Sequence, residues 1–151
     1  MRDQLDQRVH DCYWGQGLNC ARTVLLALAE EFDFMIDRQL YNAACGMHGA
    51  GGFGAQCGAV EGALIFLGAY LGSKNWPEDE ISNACYGFAE RFTEQFGSLR
   101  CSKLRPGGFT EQDDPHLCDR YVAGAIRAAL EQLQKTLVEP GGHKGEQPSG
   151  F

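Results

Sequence analysis

The sequence predicts a single all-α domain, a bundle of five or six helices around a central apolar helix. Three observations predict it: apolar residues recur at spacings of three and four, no strand-like alternation persists, and 151 residues is one ordinary domain. That length can bury a hydrophobic core. The apolar content of 44% and charged content of 22% are those of a globular chain.

Leu5, Val9 and Cys12 form a short first stripe. Ala21, Val24, Leu25, Leu28 and Phe32 predict an amphipathic second helix with Asn19 as its cap. Ile36, Leu40, Ala43, Ala44 and Met47 predict a third, which Asp37 helps start. The run "GMHGAGGFG" breaks it, because glycine tolerates positive φ and weakens helices. A fourth helix is expected from near Cys57 to near Gly72, apolar on nearly all sides as a bundle centre should be. Pro77 suits a first helical position, and the acids of "NWPEDE" suit a helix N-terminus. Ile81, Cys85, Phe88, Phe92 and Phe96 carry that helix to a cap at Gly97. Residues 98–114 read as a loop or short turns. The last helix starts near "DDPHLC" and carries Leu117, Tyr121, Ala125, Ala129, Leu133 and Leu137. The helical domain is therefore set at 1–138, and 139–151, with little to bury, as a disordered tail.

Charge and patterning exclude several functions. A net charge of −7 with no basic stripe argues against nucleic acid. The most apolar run, Ala59 to Leu71, holds Glu61 and is shorter than a bilayer span, so the chain is not expected to cross a membrane. The start "MRDQLDQRVHDC" lacks the apolar stretch of a secretion signal, and a cytoplasmic protein is expected. "GAGGFG" looks like a phosphate loop, but no strand precedes it and no Gly-Lys-Ser/Thr follows, so nucleotide binding is rejected.

Seven cysteines is many for a cytosolic chain of this size, and points to redox chemistry or metal binding. Cys85 lies inside an apolar stripe and Cys12 continues one, so both read as core residues; Cys45 sits at a helix end beside the glycine run. The other four are placed differently. Cys20, Cys57 and Cys118 open helices, where unsatisfied N–H groups favour a thiolate, and Cys101 lies in the irregular loop.

"GLNCARTVL", "GGFGAQCGAVEGA", "FGSLRCSKL" and "HLCDRYV", in this order, resemble the C_GCAxxG_C_C family of redox-active proteins. The similarity runs from about Gly15 to about Gly124. It implies that Cys20, Cys57, Cys101 and Cys118 are the family's four cysteines, and that Cys57 to Gly62 is its CGAxxG motif. It also implies redox activity. Relatives joined to haem-binding segments exist, but this chain has no C-x-x-C-H for haem attachment.

Two chemistries fit these four residues. As catalytic thiols they would exchange between dithiol and disulfide, with Cys57 the best-placed thiolate and three pairings open. As ligands they would bind one centre, an iron–sulfur cluster or a tetrahedral zinc, although spacings of 37, 44 and 17 residues are unlike finger or ribbon motifs. A third reading is an interaction module whose thiols only pack.

Around the four, Gly51, Gly52 and Gly54 are candidates to turn N–H groups toward a thiolate, a cluster sulfide or a small anion. Gly58 and Gly62, four apart, would let a neighbouring helix approach. Glu61, one turn beyond Cys57, is a candidate proton partner. Arg100 and Arg105 flank Cys101, while His48 and His116 read as surface or capping residues. The redox partner and substrate are left open, and a homo-oligomer is admitted.

Overall fold

Asn19 begins the first long helix as expected: its side chain accepts a 2.8 Å hydrogen bond from the Arg22 N–H. The computed structural model describes residues 4–107 and 118–139 of the chain. Within them the helices are α1 (Gln4–His10), α2 (Cys20–Glu31), α3 (Arg38–Ala43), α4 (Gly58–Ser73), α5 (Glu78–Phe96), α6 (Cys101–Leu104) and α7 (Asp119–Val138), with a 3-10 turn, Ala44–Gly46, and a distorted helical turn, Gly49–Gly52, between α3 and α4. A wide π-type turn, Asp11–Gly15, continues α1. Among the described residues β-pairing is limited to an isolated antiparallel bridge, Gln56 with Arg100. The domain is all-α, and none of its described helices is long and apolar enough to cross a membrane.

Most expected boundaries hold within two residues. Asp37 caps α3, accepting from the Leu40 N–H at 2.8 Å, and Gly97 ends α5 in the left-handed region at φ 84°. Pro77 sits one place earlier than expected, as the N-cap of α5. Two differences are larger. Cys101 does not lie in irregular chain but is the first residue of α6. And α4 is not apolar-buried on all sides: Ala59, Val60, Ala63, Phe66, Leu67 and Leu71 are buried, while Leu64, Ile65, Gly68 and Tyr70 are half-buried. The expected tail beyond Glu139, with Leu117 and His116, lies outside the described residues.

The core forms where α4 meets α2, α5 and α7. Between α4 and α2 the backbones themselves touch. A Cβ on Gly62 would stand 2.3 Å from the Ala21 carbonyl oxygen, and one on Gly58 would stand 2.7 Å from the Met47 oxygen and 3.0 Å from Cys20 Cβ. The two glycines thus allow the approach that brings Cys20 beside the start of α4. Aromatic rings fill the space further from this contact: Phe66 stacks on Tyr70, and Phe32 and Phe34 pack against both. Phe88, Phe92 and Phe96 extend a second row between α5 and α7, ending on Tyr121.

Candidate functional site: four thiols on one cavity

Each of the four cysteines stands at a helix start. Cys20 is the first residue of α2, Cys101 the first of α6, and Cys57 and Cys118 are the N-caps of α4 and α7. These helix ends meet at one cavity of about 160 Å³, and all four cysteines line it. Tyr13, His48, Leu104, Arg105 and Tyr121 complete most of its wall.

The segments are tied locally. The Cys57 N–H donates to the Leu99 carbonyl at 2.8 Å and the Cys101 N–H to the Ala55 carbonyl at 2.7 Å, flanking the Gln56–Arg100 bridge. Residues 55–57 and 99–101 therefore run side by side. The Tyr121 hydroxyl donates to the Leu104 carbonyl at 3.0 Å and fastens α7 to α6. Trp14 Nε1 donates to Asp119 at 3.4 Å, which holds the π-type turn against the start of α7 and Tyr13 at the cavity.

Cys118 is the hub of the thiols. It shares the cavity wall with Cys20, and Arg105 Nη1 donates to its Sγ at 3.3 Å. The Cys20 thiol first, and then Arg105, bring the Cys118 thiol down to about 6 against the opposing effect of burial. Cys20, as the partner that keeps its proton, is pushed the other way, with burial adding to the rise. The Tyr13 hydroxyl lies 3.8 Å from Cys20 Sγ, and burial raises its own pKa. Cys57 is pushed up to about 11 by burial, which outweighs the N–H groups of Ala59 and Val60 that point at it. Cys101 is also raised by burial, although Arg105 acts to lower it. The sequence reading favoured Cys57 as the thiolate; the charged partner belongs to Cys118 instead.

The other candidates fall unevenly. Arg105, expected to serve Cys101, reaches Cys118, and Arg100 is exposed. His48 lines the cavity. Gly51, Gly52 and Gly54 have φ of 68°, 88° and 93° and lie outside the lining. The Gly52 and Gly54 N–H groups bond to the His48 and Gly49 carbonyls, so they are spent within the turn. Glu61 also lies outside the lining, with its carboxylate bonded to the Gln56 side chain. Cys12 and Cys85 are half-buried, and Cys45 is exposed and contacts Arg22. Tyr13 and Tyr121 were missed by sequence reasoning, because each is placed by contacts more than five residues away.

The profile of the family described as "Putative redox-active protein (C_GCAxxG_C_C)" matches residues 18–132, most of the chain. The chain is also similar to a protein of Archaeoglobus fulgidus whose name reads only "Uncharacterized protein", at 28% identity over 132 residues, covering 78% of this chain and 87% of the relative. No solved structure matches the chain.

Proposed function

The chain belongs to the C_GCAxxG_C_C family, and from that premise we propose that it is a two-electron thiol redox protein whose working pair is Cys118 and Cys20. The observation that carries this reading is that Cys118, with the Arg105 guanidinium 3.3 Å from its Sγ, lines the same cavity as Cys20. A nucleophilic thiolate needs such stabilisation, and a resolving thiol needs such proximity.

In the forward direction the Cys118 thiolate attacks one sulfur of an acceptor disulfide and expels the other as a thiolate, which takes a proton from solvent. Cys20 then attacks Cys118 Sγ, expels the second acceptor thiolate and gives up its proton to it. The protein ends as a Cys20–Cys118 disulfide and the acceptor as two thiols, a transfer of two electrons. Of the three pairings open to four cysteines, this one leaves Cys57 with Cys101, whose segments run side by side. Cys57 and Cys101 then serve as a second dithiol, protonated at neutral pH, that can exchange with the first.

A second reading is a bound iron–sulfur cluster, favoured by the fact that all four thiols line one cavity. A single zinc suits the site less well: among the described residues no group of three or more His, Cys, Asp or Glu is arranged to hold one ion. Native mass spectrometry of protein purified without oxygen separates the readings. The dithiol reading expects a metal-free mass that falls by about 2 Da per disulfide on mild oxidation, with peptide mapping placing one bridge at Cys20–Cys118. Added mass of iron and sulfide would instead establish the cluster.

A further inference from the structure

The proposed dithiol was written with a disulfide as its acceptor, and the shape of the site favours a smaller oxidant. Cys57, Cys101 and Cys118 are 7%, 7% and 6% exposed, and their shared cavity holds about 160 Å³. Thiol–disulfide exchange sets three sulfurs in a row, so an acceptor disulfide must bring a sulfur and the chain attached to it against the thiolate. A cavity of about 150 Å³ holds a molecule the size of benzene, so this space suits a small ligand rather than a peptide. A hydroperoxide needs to place only its two oxygens there.

The polar groups are disposed for that ligand. Arg105, itself 9% exposed, donates to Cys118 Sγ at 3.3 Å, and the Tyr13 hydroxyl stands 3.8 Å from Cys20 Sγ. Leu104 and the Tyr121 ring make the adjoining wall apolar. Cleaving an O–O bond leaves negative charge on the departing oxygen, and a fixed guanidinium beside the attacking sulfur is placed to meet it.

We propose that this cavity reduces small hydroperoxides, with the Cys118 sulfur attacking the peroxide oxygen and Cys20 resolving the product. The proposal rests on the Cys20–Cys118 dithiol reading. A sulfur lone pair forms the S–O bond as the O–O bond breaks; the leaving oxygen takes a proton from solvent and departs as water or an alcohol. Cys118 is then a sulfenic acid. The Cys20 sulfur attacks it, the S–S bond forms, and the second oxygen leaves as water with the Cys20 proton. Two equivalents of a thiol, or one dithiol, reduce the bridge and are themselves oxidised to a disulfide.

A low thiol pKa alone does not make a peroxide-reducing site. Moving from the free-cysteine value to about 6 raises the thiolate fraction at pH 7 about thirtyfold, but lower nucleophilicity returns about tenfold of that. A rate more than about tenfold above free cysteine must therefore come from groups that act on the oxygens.

The test uses the full-length, fully reduced protein without oxygen. Hydrogen peroxide is mixed with it at pH 7, the reaction is quenched in time, and Cys20–Cys118 bridging is followed by mass spectrometry. The expected rate exceeds that of free cysteine by more than about tenfold, and Cys20→Ser treated with dimedone carries the adduct on Cys118. Arg105→Lys lowers the peroxide rate more than it lowers alkylation of Cys118 by iodoacetamide, a selectivity that a structural role alone would not produce. If that variant is unfolded by circular dichroism, the wild-type rate and the Cys20→Ser adduct decide alone. A wild-type peroxide rate at or below the tenfold mark overturns the proposal. If oxidised glutathione nonetheless closes the Cys20–Cys118 bridge, the dithiol reading stands without it. If neither oxidant closes that bridge, both fall.

Discussion

Cys57 and Cys118 occupy equivalent places, each the N-cap of a long helix and each on the same cavity, yet their thiols move in opposite directions. Cys57 has two helix N–H groups aimed at it, and burial still drives it to about 11. Cys118 is also buried, but a thiol donor and a guanidinium bring it to about 6. A helix N-terminus supplies fractional charge and a few hydrogen bonds; removing a thiolate from water costs more than these return. The Cys20 thiol first, and then the full charge of Arg105, decide the outcome.

The sharpest test of this contrast is competitive alkylation at pH 7. After nucleophilicity is set against thiolate fraction, Cys118 should be labelled about 100-fold faster than Cys57, as read by peptide mass spectrometry. The Cys118 rate should fall as pH drops through about 6, where the thiolate takes up its proton, while the Cys57 rate should climb only toward about 11. Equal labelling at pH 7 would erase the distinction.

The next effect concerns the packing that brings the thiols together. Gly62→Ala puts a methyl against the Ala21 carbonyl, and urea unfolding should show a loss of about 2–3 kcal/mol. Gly68→Ala, where nothing lies within 4 Å of the added carbon, is the control and should lose no stability from contact.

Two smaller changes divide the stabilisation of Cys118 between its partners. Arg105→Met should raise the inflection of Cys118 alkylation by about one to two pH units and leave that of Cys57 in place. Tyr13→Phe removes a hydroxyl that touches Cys20 and acts on Cys118 through hydrogen bonding, and should raise the same inflection by less than about one unit. A larger shift for Tyr13→Phe than for Arg105→Met would reverse the ranking.

Features written in neighbouring residues were legible in the sequence. The Asn19 and Asp37 caps, the Gly97 stop and the span of α4 each depend on a few adjacent side chains, and each was read within two residues. The close approach at Gly58 and Gly62 was also visible, because four-residue spacing fixes a helix face. The four-residue helix at Cys101 was not, since one turn shows no periodicity. Nor was the half-buried side of α4, because Leu64 and Ile65 look the same in sequence however far a neighbour covers them. The Arg105 contact that sets Cys118 apart from Cys57 was not legible for a related reason. Arg105 and Cys118 are separated by thirteen residues, and only the packing of α6 against the start of α7 brings guanidinium and sulfur together.

The contact between Arg105 and Cys118 also bears on the reduction potential of the pair. The guanidinium stabilises a thiolate, which exists only in the reduced protein, and gives nothing comparable to the disulfide. Holding the thiol at about 6 favours the reduced form at pH 7 by about one factor of ten, which for two electrons is about 30 mV. The Cys20 thiol is the larger cause of that value and Arg105 the next, so the part of the increment due to the guanidinium makes the Cys20–Cys118 couple more oxidising than the same two thiols without it. This increment shrinks as pH falls toward 6 and the thiolate is protonated.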